Sequence, residues 1–206
     1  MNIVLTYIKG RMKKLFSFLM LLMCLGIYAQ EKKVDFKLQP TGVFLTEDGK
    51  DFTVVEFEGK SASDLYSMVK SNAMSLYNDP DRVMSESGGN MISMYAYCKE
   101  MCVVSSMGAK AIYGGHYKLV FRFKDGRIRV DAPSIDEELP MNGGFMTGTI
   151  GIPSRVFLSD YAKKVCKGNS KKNREKKEYL EYVVNSPINY LLGFSKSQKQ
   201  EEDENW

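Results

Sequence analysis

The chain has 206 residues, of which 26% are charged and 44% hydrophobic, and its formal net charge is +4. Residues 1–29 hold four basic residues and no acidic ones, so the remaining 177 residues carry 25 of each kind. This balance excludes a generally basic surface for nucleic acid, and the length suits one domain with extensions.

Residues 12–29 have the pattern of a secretory signal peptide. A basic start is followed by the apolar run Leu15–Ile27 and by Ala29, a small residue before a polar segment. The apolar run is too short for a bilayer-spanning helix, which needs about 20 residues. We therefore predict an exported protein of the periplasm or cell surface, whose translation begins at Met12 and whose signal peptide ends at residue 29.

The exported part keeps three cysteines, Cys98, Cys102 and Cys166. An odd count leaves at least one thiol unpaired or paired between chains. Cys98 and Cys102 could form a disulfide only across a turn, because in a straight strand their Cα atoms would lie about 13 Å apart. Together with His116 the three cysteines resemble a zinc ligand set, but the third cysteine is distant and no second histidine exists. We predict no metal and no cofactor.

The first elements lie between residues 30 and 57. Residues 30–42 are interpreted as a leader with a short strand at Val34–Leu38. Two strands follow, Val43–Thr46 and Phe52–Phe57, joined by a turn through Asp48 and Gly49.

Residues 62–77 are predicted to form a helix. Ser61 and Asp64 have the spacing of a capping box, and Asn78, Asp79 and Pro80 end the element. An apolar stripe at helical spacing would cover one face of a sheet. It consists of Leu65, Met68, Val69, Ala73 and Leu76.

Strands are predicted after this helix. Arg82–Glu86 is a weak strand, and Met91–Cys98 is a stronger one whose alternation places Tyr95 and Tyr97 away from the core. The segment 99–115 is ambiguous, since its glycines favour loops.

Residues 118–132 predict a β-hairpin with a two-residue turn at Asp125 and Gly126. This turn sets Phe123 opposite Ile128, Phe121 opposite Val130 and Leu119 opposite Ala132, all on the core side. On the other side Arg122 faces Arg129, a pair of like charges that destabilises the sheet unless an anion or carboxylate lies between them.

The remainder is predicted to be largely helical. An irregular segment from residue 136 is followed by helices at Ser154–Lys167 and Ser170–Asn185, and Ser186 with Pro187 begins a short last helix ending at Gly193. The polar residues 195–206 are expected to be disordered. The order of elements indicates an α+β fold, a single antiparallel sheet with helices packed on one face, formed by residues 43–135 and extended by C-terminal helices in 136–194.

Part of this pattern resembles a family of exported Bacteroidetes proteins known only as a domain of unknown function. The resemblance rests on VVEFEGKSASDLYSMVKSNA and YKLVFRFKDGRIRV and spans about residues 43–135. It implies a TATA-binding-protein-like fold, and no catalytic or binding residue comes with it.

The outward side of the sheet is the candidate ligand-binding site. Its residues are Arg122, Lys124, Arg127, Arg129, Tyr95 and Tyr97. Exposed charge is the ordinary state of a half-buried antiparallel sheet, so a merely solvated face is one interpretation. The other is a binding surface for an anion, because arginine and tyrosine are enriched at binding surfaces.

A second charged feature is the basic run from Lys163 to Lys177, which suits either a solvated helix or contact with a membrane surface. The sequence contains neither a nucleophile elbow of the G-x-S-x-G type nor a phosphate-binding glycine loop, and His116 is its one histidine. We therefore predict a non-catalytic binding or interaction module for an unknown anionic ligand or envelope protein, without nucleic acid and of undetermined oligomeric state.

Two alternatives remain. A periplasmic enzyme of unfamiliar type would gather His116 with acids or hydroxyls, including a nearby tyrosine, in a concave site. A structural subunit of an envelope assembly would expose a large apolar patch, formed by the helices beyond residue 154.

Overall fold

A computed structural model describes residues 33–106, 109–142 and 152–195. The predicted signal peptide and residues 196–206 of the predicted tail lie outside the described residues. The strands are β1 Lys37–Leu38, β2 Phe44–Leu45, β3 Phe52–Glu56, β4 Met84–Ser87, β5 Met91–Ser106, β6 Ala109–Lys124, β7 Arg127–Ile135, β8 Glu138–Pro140 and β9 Arg155–Phe157. The helices are α1 Ala62–Leu76, α2 Pro80–Val83, α3 Leu158–Lys167 and α4 Lys171–Leu191.

Five strands form an antiparallel sheet in the order β3-β7-β6-β5-β4. The β6–β7 hairpin confirms the predicted register from Lys124–Arg127 to Phe121–Val130, because the Asp125-Gly126 turn fixes it. The predicted pair of Leu119 and Ala132 is wrong. Val120 pairs with Asp131 but Lys118 pairs with Ser134, so Leu119 faces a bulge that contains the buried Pro133. Proline has no N–H for the ladder, and a bulge accommodates that loss.

Strands β5 and β6 are longer than the sequence predicted. They pair from Met91–Arg122 to Ser106–Ala109, with two extra residues of β5 between Cys98 and Cys102. Gly114 and Gly115, expected in loops, lie inside β6. A Cβ at Gly115 would lie 2.5 Å from Leu139 Cδ2, so this glycine allows close packing rather than a turn.

Helix α1 covers the inner face of the sheet, as predicted. The capping box of Ser61 and Asp64 is present. The backbone N–H of Ala62 also donates to Asp125 Oδ1 at 2.8 Å, which joins the hairpin turn to the start of the helix. The buried side chains of α1 face the four apolar residues of the hairpin, which are all at most 4% exposed. These are Leu65, Val69 and Ala73 on the helix, and Phe121, Phe123, Ile128 and Val130 on the hairpin.

The segment interpreted as a leader belongs to the core. Val34, Phe36 and Leu38 are buried in alternation with exposed or half-buried neighbours, and their backbone N–H groups donate to three side chains of α4. The acceptors are Asn189 Oδ1 at 2.8 Å, Asn185 Oδ1 at 2.9 Å and Glu181 Oε1 at 2.9 Å. The donors are two residues apart in an extended segment, about 6.7 Å, and the acceptors are four residues apart in a helix, about 6 Å. The two spacings nearly match, so each donor reaches its acceptor.

Helix α4 is one continuous element, which corrects the predicted break at Pro187. A proline inside a helix costs about 3 kcal/mol. Tertiary packing outweighs this cost here, because Val184 and Ile188 on either side of the proline are fully buried. The predicted helical extension therefore supplies much of the core.

The prediction of a single sheet is correct only in part. Two small two-stranded sheets, β1-β2 and β8-β9, accompany the five-stranded one. Helices α1 and α4 contact each other and the sheet, which confirms the α+β class. In the part of the chain that the structure describes, no helix is both long and apolar enough to cross a membrane.

Candidate ligand-binding face

The side of the sheet opposite α1 and α4 is solvent-accessible and is called the outer face. Because side chains alternate along a strand, the register places all six predicted site residues on it. Tyr95 and Tyr97 are 49% and 45% exposed, which is high for large aromatic residues. The outer face nevertheless contains two separate sites.

The first site, the cationic cleft, lies beside the β6–β7 turn. It has a volume of about 650 Å³. Four basic residues line it together with an apolar floor and a polar edge. The basic residues are Arg122, Lys124, Arg127 and Arg129, the floor is Phe52, Val54 and Met91, and the edge is Ser87 and Asn90; Phe123, whose side chain lies on the core side, also borders the cleft.

Asp131 neutralises the predicted repulsion in this cleft. Arg122 does face Arg129 across the hairpin, as expected. The Asp131 carboxylate accepts from Arg122 Nε at 3.1 Å and from Arg129 Nε at 2.6 Å. The chain thus provides its own carboxylate between the two guanidinium groups, and an external anion is not required to relieve them.

These contacts also fix the orientation of Arg129. Its Cζ atom lies 4.0 Å from the centroid of the Phe52 ring, while its Nε atom bonds Asp131. A guanidinium held by a ring and a carboxylate loses little conformational freedom when its remaining N–H groups bind a ligand. Among the described residues, no ion pair within 4.0 Å involves Lys124 or Arg127.

The second site, the ring platform, consists of Tyr95, His116 and Tyr97. The Tyr95 and His116 rings are stacked with centroids 4.6 Å apart and planes 7° apart, and Tyr97 meets His116 edge-on at 5.0 Å. Asp136 Oδ2 accepts from Tyr95 Oη at 2.7 Å and lies 3.4 Å from His116 Nδ1. The hydrogen bond to Asp136 raises the pKa of Tyr95, because that bond needs the phenol proton.

A cleft of about 420 Å³ adjoins the ring platform. Its polar lining comes from the end of β7, from β8 and from the start of β9, and it includes Asp136, Glu138, Ser154 and Arg155. Arg155 Nη1 donates to Glu138 Oε2 at 2.7 Å, so this pair is already matched in charge. Pro140 and Gly115 complete the wall with Tyr97 and His116.

The structure therefore brings the six predicted residues onto one face but not into one site. Met91, beside the cationic cleft, is four strand residues from Tyr95, a distance of about 13 Å. Sequence analysis missed Asp131 and Asp136. Asp131 follows Arg127 and Arg129 at a spacing of two and could have been found by alternation. Asp136 could not, because it reaches His116 only beyond the bulge at residues 132 and 133.

No protein-family profile matches the chain, and no curated protein matches it. Two solved structures align with it. A TBP-like protein from Parabacteroides distasonis has a TM-score of 0.47 and 11% identity, covering 69% of this chain and 89% of its own. A DUF4468 family protein from Bacteroides ovatus has a TM-score of 0.46 and 11% identity, covering 76% of this chain and 90% of its own. One of these proteins is TBP-like and the other belongs to a family of unknown function, in agreement with the resemblance stated above.

The three cysteines are free thiols in this structure. Burial raises the pKa of Cys102 to about 12, and burial also raises the pKa of Cys98 and of Cys166. Within residues 33–106, 109–142 and 152–195, no group of three or more histidine, cysteine or acidic side chains is placed to hold a metal ion.

The basic run is divided between α3 and α4 and is partly neutralised within the fold. Lys177 Nζ lies 3.2 Å from Glu181 Oε1, and Lys171 Nζ lies 3.8 Å from Glu175 Oε1. Burial and the neighbouring lysines lower the pKa of Lys176. The run is therefore a less uniform cationic surface than its sequence suggests.

Proposed function

We propose that the protein is an exported, non-catalytic binding module of the bacterial envelope, and that its cationic cleft binds an anionic ligand. The observation that carries the proposal is the lining of the cleft: four basic side chains surround an apolar floor, and Asp131, the carboxylate that bonds Arg122 and Arg129, leaves Lys124 and Arg127 without an ion pair among the described residues. Export is supported by the signal-peptide pattern of residues 12–29.

The lining favours an anion with an apolar part. Lys124 and Arg127 are exposed, and although Glu56 is the cross-strand partner of Arg127, no ion pair within 4.0 Å joins the two among the described residues. Phe52 and Val54 offer the ligand apolar contact, and Val54 is 42% exposed on an edge strand. Sites of this kind combine apolar area with a few charged groups that set orientation.

The arginines contribute by being held in place. Asp131 and Phe52 fix Arg129, and Asp131 fixes Arg122, so less side-chain entropy is lost on binding. Asp131 also competes with a ligand for the same guanidinium groups. Replacing it with asparagine should therefore strengthen anion binding even though it weakens the fold.

The test is a separate titration of the exported chain, residues 30–206, with hexyl phosphate, with inorganic phosphate and with hexanol. Binding is monitored by the NMR chemical shifts of the backbone amides. We expect hexyl phosphate to bind more tightly than the other two, with shifts at the start of β7 and the end of β6. The double variant K124S/R127S should weaken binding at least about tenfold.

A matched control variant loses the same two positive charges outside the cationic cleft. The K163S/K172S variant removes two exposed lysines of the basic run and should leave the affinity unchanged. Equal weakening by both double variants would show an effect of net charge alone and would contradict the proposal. Hexanol binding as tightly as hexyl phosphate would do the same.

Export has its own test. The amino terminus of the protein recovered from the cell envelope should be near Gln30, as expected for cleavage after Ala29. An amino terminus at residue 1 or at Met12 would contradict export by cleavage.

A second candidate function, an enzyme, is favoured by one observation. His116 lies 3.4 Å from Asp136 and shares a concave site with the Ser154 hydroxyl and Glu138. A carboxylate at Nδ1 can orient an imidazole whose Nε2 atom then acts as a general base on water. The test is hydrolysis of p-nitrophenyl acetate by the wild type and by H116A. Since the chain has one histidine, equal rates would rule out this chemistry.

A further inference from the structure

The ring platform is a rigid exposed surface. Tyr95 and Tyr97 are each nearly half exposed, yet both rings contact His116. Exposed tyrosines on a sheet are ordinarily held only by their cross-strand neighbours. Tyr97 and His116 are direct cross-strand partners, so their contact is of this ordinary kind, but the two tyrosine rings have further restraints that do not come from strand pairing.

The further restraints come from two residues, Asp136 and Gly114. Asp136 holds the Tyr95 hydroxyl at 2.7 Å and approaches His116 Nδ1. Gly114 provides the space in which Tyr97 lies: a Cβ there would overlap the Tyr97 hydroxyl and lie 2.7 Å from its Cζ atom. The backbone N–H of Asp136 donates to His116 O at 3.0 Å, which ties the carboxylate to the platform. A surface ordered in advance loses less entropy when it binds.

The surroundings limit which ligand can lie on these rings. Asp136 and Glu138 disfavour an anion beside the platform, so the ligand of the cationic cleft does not fit here. Glu138 is already paired with Arg155, and Asp136 Oδ2 already accepts from the Tyr95 hydroxyl, so the described lining offers a charged ligand no unoccupied counter-ion. The polar groups at the edge are carboxylates, one hydroxyl, an imidazole and a guanidinium, which together accept and donate hydrogen bonds to a neutral ligand with many hydroxyls.

We infer that the ring platform and its 420 Å³ cleft bind a neutral, β-linked pyranose chain. A pyranose with mostly equatorial substituents has a flat face of C–H bonds, which packs on the exposed tyrosine rings. Its hydroxyls lie around the rim, where Asp136, Glu138, Ser154 and Arg155 can bond them. This site is separate from the cationic cleft and does not depend on the proposed anionic ligand.

The experiment is an NMR titration of residues 30–206 with three neutral hexasaccharides: cellohexaose, mannohexaose and fully N-acetylated chitohexaose. At least one should bind saturably with roughly millimolar affinity and shift the amides of Tyr95, Tyr97 and His116. Sorbitol, which has hydroxyls but no ring, serves as the control ligand and should not bind saturably.

Variants separate the platform from the rest of the chain. Y97A should weaken sugar binding at least about tenfold, and Y97F, which keeps the ring, should bind within about twofold of the wild type. Y182A, at an exposed tyrosine on α4, and K124S/R127S should bind as the wild type does. The inference is overturned if none of the three sugars binds at the platform, if Y97A binds normally, or if sorbitol causes the same shifts. None of these results bears on hexyl phosphate binding.

Discussion

Asp131 accepts a hydrogen bond from Arg129 Nε at 2.6 Å. On the neighbouring strand, the residue that pairs with Arg129 is a second arginine, Arg122. Asp131 is four-fifths buried, whereas the two arginine side chains are 52% and 43% exposed. The carboxylate therefore stabilises a like-charge pair that would otherwise weaken the hairpin, and it leaves both guanidinium groups accessible.

Removing this carboxylate should destabilise the fold moderately. D131N leaves Arg122 facing Arg129 without a counter-ion, and because the arginines are largely exposed we expect a loss of about 1 kcal/mol in the free energy of unfolding. Urea denaturation measures it. E58Q, at an exposed glutamate, is the control. The double variant D131N/R122S should recover part of the loss, and no recovery would contradict the assigned repulsion.

The side-chain ladder of α4 should be more costly to lose. Asn189 accepts from the Val34 N–H and donates to the Val34 carbonyl, each at 2.8 Å, in a buried setting. N189A leaves both groups without partners, so we expect destabilisation by about 2–3 kcal/mol in urea denaturation. N169A, in the exposed connection between α3 and α4, should change stability by less than about 0.5 kcal/mol. Equal effects of the two variants would contradict the role of the ladder.

Gly114 should be intolerant of any side chain. A methyl group there would overlap the Tyr97 hydroxyl and lie 2.9 Å from the Cys98 carbonyl oxygen. We expect G114A to cost about 1–3 kcal/mol through overpacking and to displace the Tyr97 ring. In a Y97A background the same change should cost less, since only the backbone contact remains. Identical costs in both backgrounds would show that Tyr97 does not lie over this glycine.

The three thiols should differ in reactivity. Cys102 is fully buried and has a pKa of about 12, whereas Cys98 and Cys166 are partly exposed. Since the thiolate is the reactive form, N-ethylmaleimide at pH 8 should label Cys98 and Cys166 in the native protein and Cys102 only after unfolding. Peptide mass mapping at timed intervals distinguishes them. Labelling of native Cys102 as fast as Cys98 would contradict its burial.

Tyr95 should ionise at a higher pH than an ordinary tyrosine. Asp136 raises its pKa above the usual value near 10, so the bond stabilises the fold below pH 10 and the contribution is lost as pH rises through the raised pKa. D136N should return the pKa of Tyr95 toward its ordinary value. NMR titration of the tyrosine ring carbons in the wild type and in D136N measures the shift. An unchanged Tyr95 pKa in D136N would contradict the bond.

The elements that sequence analysis predicted well are those whose signals are local. A capping box, an Asp-Gly turn and alternation over a few residues all act within one segment, so α1 and the first four pairs of the β6–β7 hairpin could be placed without tertiary information. The same alternation put the six candidate site residues on one face.

The errors arose where a distant contact overrides a local signal. Pro187 ordinarily ends a helix, but α4 continues through it because Val184 and Ile188 are buried by other elements. Gly114 and Gly115 ordinarily indicate loops, but they lie in β6 because Tyr97 and Leu139 need the space above them.

By itself, the sequence determined the amphipathic character of each segment, the turn that sets the hairpin register and the presence of a basic outer side, because these properties depend on neighbouring residues. Only the tertiary structure decided that this side is divided. Asp131 and Asp136 lie five residues apart, yet the bulge between them sends one carboxylate to the arginines and the other to His116 and Tyr95. The position of a side chain beyond the hairpin turn depends on how all the strands of the sheet pair, and no single segment of sequence specifies that pairing.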